Sequence, residues 1–209
     1  MSANFLQALG TSRLYALTDR LISGLSHEEQ VLRLSEQGIT LVQLREKSLA
    51  SREFYLEAAA ALRTARQRQV KFIINDRVDI ALALKADGVH LGQEDLPPDV
   101  ARRLLGPESI IGISTHSVEQ AQAAARLPVD YIAIGPVYLT TTKNSQHQPL
   151  GLAGLRAVKE AIGGIPLVAI GGITSASRAD VFNSGADGVA ITSDLWRGAP
   201  PRSSTNPDL

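Results

Sequence analysis

The residues able to do chemistry in this chain are polar clusters set at the ends of short apolar runs. In QLREK, Gln43, Arg45 and Lys47 alternate with Leu44 and Glu46. If extended backbone continues through them, a two-residue period turns the amide and both cations to one side, a set suited to phosphate oxygens. A solvated charged loop is the other reading of the same five residues. Asn75 and Asp76 close the run KFIIND, and Gln93 and Asp95 follow GVHLG. Neighbouring strands lie about 4.8 Å apart, so carboxylates at adjacent strand ends reach one hard cation, and Mg²⁺ suits a set of carboxylate, water and phosphate oxygens. Asp76 also fits a helix cap, and Asp95 a turn ahead of Pro97 and Pro98.

Four further groups follow along the chain. Ser114, two residues after Gly112, offers a hydroxyl to a phosphate or caps a helix; no G-x-S-x-G elbow surrounds it, which excludes a serine hydrolase of that type. GPVYLTTTK opens a long connection to Gly151 that carries Thr140, Thr142 and Lys143, hydroxyls with a cation, in a functional or simply mobile loop. Gly171 and Gly172 let backbone amides approach a ligand or merely form a turn, and Thr192 and Ser193 precede a short helix.

The elements that must position these residues are legible as a rhythm. Apolar runs begin at Leu14 (LYALTD), Thr40 (TLVQLR), Lys71 (KFIIND), Gly88 (GVHLG), Ser109 (SIIGIS), Asp130 (DYIAIG), Pro166 (PLVAIGG) and Asp187 (DGVAIT), with Ala-, Leu- and Arg-rich stretches between them. That alternation predicts parallel βα units, because parallel strands must be joined by crossovers that cover the sheet. Strands apolar on both faces favour a closed α/β architecture, a single (β/α)₈ TIM barrel, over an open doubly wound sheet, and no Gly-rich dinucleotide turn follows the first strand. Ser26 and Glu29 fit a capping box ahead of VLRLSEQ, Gly38 suits a helix end, and 51–68 reads as a covered helix with outward arginines. The barrel is expected over 1–197 and a frayed Pro- and Ser-rich tail over 198–209. In such a barrel the loops after strands seven and eight commonly hold a phosphate, which gives the two glycines and Thr192 a shared purpose.

Composition narrows the partners. Lys plus Arg and Asp plus Glu both number 21, so no global field draws nucleic acid or an anionic membrane to the surface, and any anion site is local. With no cysteine, disulfides, thiol nucleophiles and thiolate metal sites are excluded. His27, His90, His116 and His147 show no zinc-ligand spacing and read as surface or structural residues. No run approaches membrane-spanning length, and a cytoplasmic protein is expected, as a monomer or a homo-oligomer.

Taken together, QLREK, IND, HLGQED, GISTH, GPVYLTTTK, AIGGI and GVAITS make the chain from Leu14 to Trp196 resemble the thiamine phosphate synthase family. GGI and ADGV occur in several phosphate-binding barrels, whereas the ordered set of QLREK, HLGQED and TxTK is specific. The resemblance implies a (β/α)₈ barrel that joins a pyrimidinylmethyl diphosphate to a thiazole phosphate. It implies that Gln43, Arg45, Lys47, Asn75, Ser114 and Lys143 contact the pyrimidine diphosphate, with Arg45, Lys47, Ser114 and Lys143 as the catalytic group. Asp76 and Asp95 would hold Mg²⁺. Thr140, Thr142, Gly172, Thr192 and Ser193 would receive the thiazole phosphate, while Leu44, Glu46 and Thr141 complete the substrate-binding segments.

Leu139 stands where the family generally has proline, and Thr192 where it often has an aliphatic residue; the first frees the loop backbone, and the second keeps the amide donor. Asp194 would repel a phosphate and is expected to face a helix N-terminus or solvent. Two other readings share the barrel: a thiazole tautomerase with His116 as proton carrier, and a non-catalytic binding protein. Asp76, Asp95, Arg45, Lys47 and Lys143 weigh against the tautomerase, which has no diphosphate to neutralise.

Overall fold

A computed structural model describes residues 2–140 and 147–196 of the chain; the expected tail at 198–209, and Thr141, Thr142 and Lys143, lie outside the described residues. Each apolar run forms a strand: β1 (Leu14–Thr18), β2 (Leu41–Leu44), β3 (Lys71–Asn75), β4 (Gly88–Leu91), β5 (Ile110–Thr115), β6 (Tyr131–Ile134), β7 (Leu167–Ile170) and β8 (Gly188–Ile191). They pair in parallel and in sequence order. Leu14, Tyr15 and Ala16 of β1 pair with Val189, Ala190 and Ile191 of β8, which closes the ring and excludes the open sheet.

Closure explains why the strands are apolar on both faces. On β3, Phe72 and Ile74 face outward into a core shared with the helices, while Ile73 faces inward with Leu17, Leu41, Tyr131 and Val168. The two cores are separated by the sheet itself, and β1, β2, β3, β5, β6, β7 and β8 supply both, while β4 gives Val89 and Leu91 to the outer one.

The helices follow their local signals. Helix α3 (His27–Glu36) starts with the expected capping box, in which Ser26 Oγ accepts from the Glu29 amide and the Glu29 carboxylate accepts from the Ser26 amide. In α4 (Ser51–Gln67) the buried residues Phe54, Ala58, Ala61, Leu62 and Ala65 recur at three and four, leaving Arg52, Arg63 and Arg66 exposed. Among the described residues no helix is long and apolar enough to cross a membrane.

One element escaped the strand rhythm. Helix α1 (Ser2–Leu9) lies across the N-terminal ends of the strands, where the Ala8 carbonyl accepts from Thr40 Oγ1 at 2.9 Å. Its Phe5 enters the barrel and stacks on Tyr131, with ring centroids 4.1 Å apart, and meets Tyr15 edge-on at 6.3 Å. Leu9 occupies the space a side chain at Gly188 would take, with its Cδ2 2.7 Å from the Cβ position. The helix is therefore the floor of the barrel. Phe5→Ala would leave a cavity with no neighbouring side chain free to fill it, and is expected to destabilise the fold by about 3 kcal/mol or more in urea unfolding. A loss under about 1 kcal/mol would show that α1 does not seal the interior.

Candidate active site

At the other end of the barrel, the strand tips gather the polar residues. Arg45, just past β2, is held by one arm: its Nη1 donates to Asp19 Oδ2 at 3.1 Å. Asp19 is fixed in turn, its Oδ1 capping α2 (Arg20–Ser23) and its amide donating to Gln30 Oε1 at 2.9 Å. A guanidinium has five N–H donors, so this anchoring leaves most of the fork for an anion in the cavity that Arg45 lines.

The rest of QLREK divides by its two-residue alternation. Gln43 points into the barrel and its Nε2 donates to Tyr15 at 2.8 Å. Lys47 pairs with Asp76. Leu44 is buried in the outer core, and Glu46 turns back to His27 Nε2 at 3.4 Å and to the Ser48 amide at 2.6 Å, so the structure does not bring these two side chains into the mouth. His27 is fully buried and also shares a 2.7 Å hydrogen bond with Thr18. Burial pushes its pKa below the ordinary imidazole value, against the pull of Glu46. For Glu46 burial opposes ionisation, but the Ser48 amide and hydroxyl together with His27 outweigh it and hold the carboxyl below its usual range.

Asp76 and Asp95 meet beside Lys47. Asp76 follows β3 in left-handed backbone, φ 61°, which aspartate tolerates better than most residues, and its amide continues the ladder to the His90 carbonyl. It does not cap α5 (Val78–Leu84), which begins at Arg77 without a side-chain cap. Asp95 Oδ2 accepts from the Gly92 amide at 2.6 Å, the turn expected from sequence, and this turn carries the carboxyl towards Asp76. Burial raises the Asp95 pKa, and the Asp76 carboxylate adds to the rise against the Gly92 amide and Lys47. No group of three or more His, Cys, Asp or Glu suited to a metal occurs among the described residues. The site is an oxygen pair.

The remaining candidates surround a cavity of about 500 Å³, lined by Arg45, Ser114, Thr140, Gly172, Thr192 and Ser193 among others. Gly171 and Gly172 have φ of 98° and 65°, and a Cβ on Gly172 would sit 2.4 Å from the Leu139 carbonyl oxygen. Glycine is required there because the chain after β6 passes against β7. Leu139 itself is exposed. Asp194 also lines the cavity, and its Oδ2 accepts from the Ser175 amide at 2.9 Å and from Arg178 at 3.3 Å, at the start of α9 (Arg178–Asn183). Ser114 does not cap a helix; Ser117 does, for α7 (Val118–Ala124).

Beneath the mouth a line of hydrogen bonds crosses the barrel. Tyr15 and Tyr131 hydroxyls meet at 2.9 Å, Tyr131 reaches His90 Nδ1 at 2.8 Å, and His90 Nε2 reaches Ser114 Oγ at 2.8 Å. Both tyrosines are fully buried, and burial holds both hydroxyls above the usual phenol range, so they stay protonated. Asn75 is buried beside His90 in register. No sequence motif marks Tyr15, Tyr131 or Asp19, and His27 reads from sequence only as a surface or structural residue. The available signal was a tyrosine inside each of two apolar strands, since a buried hydroxyl demands a partner.

A closed parallel barrel with a guanidinium, hydroxyls, glycine amides and paired carboxylates on one rim defines an enzyme barrel working at its strand C-termini. The family model for thiamine monophosphate synthase matches residues 14–195. The chain is 46% identical over 182 residues to thiamine-phosphate synthase of Chloroflexus aurantiacus, covering 87% of this chain and 83% of that one. To thiamine-phosphate synthase of Albidiferax ferrireducens it is 45% identical over 197 residues, 94% of this chain and 88% of the other. A solved structure of thiamine phosphate pyrophosphorylase from Pyrococcus furiosus matches with a TM-score of 0.80 at 38% identity, covering 89% of this chain and 88% of that one. The chain belongs to the thiamine monophosphate synthase family.

The buried His27 gives a signed pH dependence. Below about pH 6.5 the unfolded chain takes up a proton that the folded chain resists, so this residue's contribution to stability is present above that pH and is lost as pH falls. His27→Gln removes the linkage. The wild-type melting temperature is expected to drop more steeply than the variant's between about pH 7 and pH 5, and parallel profiles would refute a neutral buried imidazole.

Proposed function

We propose that this mouth joins 4-amino-2-methyl-5-pyrimidinylmethyl diphosphate to a thiazole phosphate, giving thiamine phosphate and pyrophosphate. Family membership makes the chain a transferase acting on small molecules; the proposal concerns which residues do what. The observation that carries it is one cavity lined by Arg45 and Ser114 and also by Gly172, Thr192 and Ser193, with Lys47, Asp76 and Asp95 clustered at the tips of the strands next to Arg45.

Arg45, Lys47 and Lys143 neutralise the diphosphate as the methylene carbon to oxygen bond breaks and the bonding electrons stay on the leaving oxygen. The electron-rich aminopyrimidine supports the resulting cation, held by Gln43, Asn75 and Ser114. Thr140, Thr142, Gly172, Thr192 and Ser193 grip the thiazole phosphate, so that the ring nitrogen's lone pair forms the new carbon to nitrogen bond. No enzyme nucleophile is needed; alignment and exclusion of water do the work. Asp76 and Asp95 fit Mg²⁺, being adjacent hard oxygen donors whose mutual repulsion a cation relieves. When bound there, the ion supplies positive charge to the departing pyrophosphate. A cysteine-free chain making a phosphorylated cofactor precursor is assigned to the cytoplasm.

Purified protein given both substrates and Mg²⁺ is expected to release thiamine phosphate and pyrophosphate in equal amounts. Isomerised thiazole without coupling would favour the tautomerase, and binding without turnover a non-catalytic protein. Asp76→Asn and Asp95→Asn are each expected to lower kcat about 100-fold or more with unchanged circular dichroism. Wild-type rates in both at ordinary Mg²⁺ would remove the metal assignment. Lys143→Ala is expected to slow the single-turnover step more than it weakens thiazole binding, and an unchanged single-turnover rate would contradict its role.

A further inference from the structure

The line of hydrogen bonds under the mouth has a direction. An amide nitrogen only donates, so Tyr15, accepting from Gln43 Nε2 at 2.8 Å, has its single proton for Tyr131. Tyr131, accepting from Tyr15, has its proton for His90 Nδ1. A neutral imidazole that accepts at Nδ1 carries its hydrogen on Nε2, which then donates to Ser114 Oγ. Ser114 lines the cavity, and with its oxygen already accepting, its own proton is directed into it. At the opposite end, Gln43 has Nε2 engaged and Oε1 without a protein partner among the described residues. Reversing any one link forces reversal of all the others and a flip of the Gln43 amide, because a buried hydroxyl facing a second donor would lose its bond in a place where no water replaces it.

We infer that Tyr15, Tyr131 and His90 act as positioning and specificity residues that make Gln43 an acceptor and Ser114 a donor, so the site selects a ring with an amino N–H towards β2 and a bare ring nitrogen towards β5. This rests on the proposed contact of Gln43 and Ser114 with the pyrimidine. The 4-amino ring meets both demands. Its 4-oxo counterpart, the product of deamination, places an acceptor and a ring N–H where a donor and an acceptor are wanted, and the line cannot adapt at one end without reversing throughout. Space for the arrangement is built into the strands: a Cβ on Gly112 would lie 2.0 Å from Tyr131 Cζ, so glycine on β5 makes room for the ring that joins the two halves. None of the three residues has to touch the reacting atoms. Their effect passes through Gln43 and Ser114.

The test compares the 4-amino diphosphate with its 4-oxo analogue in wild type, Tyr131→Phe and Tyr15→Phe. Wild type is expected to favour the amino compound in kcat/KM by about 100-fold or more, as sites built on buried polar contacts do. Tyr131→Phe cuts the line in its middle; the preference is expected to fall at least tenfold and the KM for the amino substrate to rise, with the thiazole phosphate KM unchanged. Retention of the full preference in both folded variants would overturn the inference. Side-chain ¹⁵N spectra of the wild-type protein read the same claim without a mutation, with His90 expected as the Nε2–H tautomer; an Nδ1–H tautomer would overturn it. Ser114→Ala separates this from the reading beneath it. If that variant keeps the wild-type pyrimidine KM, the contact assignment fails; if its KM rises while Tyr131→Phe behaves as wild type, only the line fails.

Discussion

Closing eight parallel strands into a ring creates an interior that the chain must fill from within, and the way it is filled decides where chemistry can occur. Protein interiors pack to crystal-like density, so a ring left partly empty would forfeit contacts along every strand. Here the floor is sealed by Phe5 and Leu9 of α1, and the middle by the tyrosines of β1 and β6, which bring large rings together with hydroxyls that need partners. Satisfying those hydroxyls draws Gln43 and His90 inward, and His90 in turn engages Ser114. The polar floor of the active site is thus a consequence of filling the barrel.

The charged rim follows a second rule, that a site cation or carboxylate is held by a partner outside the reacting centre. Asp19 anchors Arg45, the Gly92 amide anchors Asp95, and Arg178 with the Ser175 amide anchors Asp194. For Arg45 the anchor uses a single arm, which leaves most of the guanidinium fork for a ligand. Asp95 faces Asp76 as well as its anchor, and Lys47 pairs with Asp76 beside them.

Much of this was legible in the sequence because it rests on local period and strand order. Strands apolar on both faces imply closure, Ser26 with Glu29 implies the cap, and the succession of strands puts Asp76 next to Asp95. The alternation in QLREK also turned Leu44 and Glu46 away from Gln43 and Arg45. Resemblance to a family motif, which does not distinguish side-chain from backbone contact, kept those two among the substrate-binding residues. What the sequence could not show depends on contacts between distant positions. Tyr15 and Tyr131 are 116 residues apart, and α1 is a short amphipathic segment whose partners are the insides of strands rather than a neighbouring helix. Asp19 caps α2 locally, and its second partner, Arg45, lies 26 residues on.

These two kinds of support differ in what a substitution can do. A rim anchor such as Asp19 acts locally, so losing it loosens Arg45 and uncaps the short helix α2. A member of the interior line acts on both ends, because the orientation of one buried proton fixes the next. The packing that accommodates it has no slack: Gly112 admits no side chain beside Tyr131, and Phe5 lies against the tyrosine's face at 4.1 Å. Variation in substrate affinity is therefore most readily accommodated at the rim, where Leu139 is exposed, whereas the choice of ring is set in the interior, where a change must satisfy packing and hydrogen-bond direction at once.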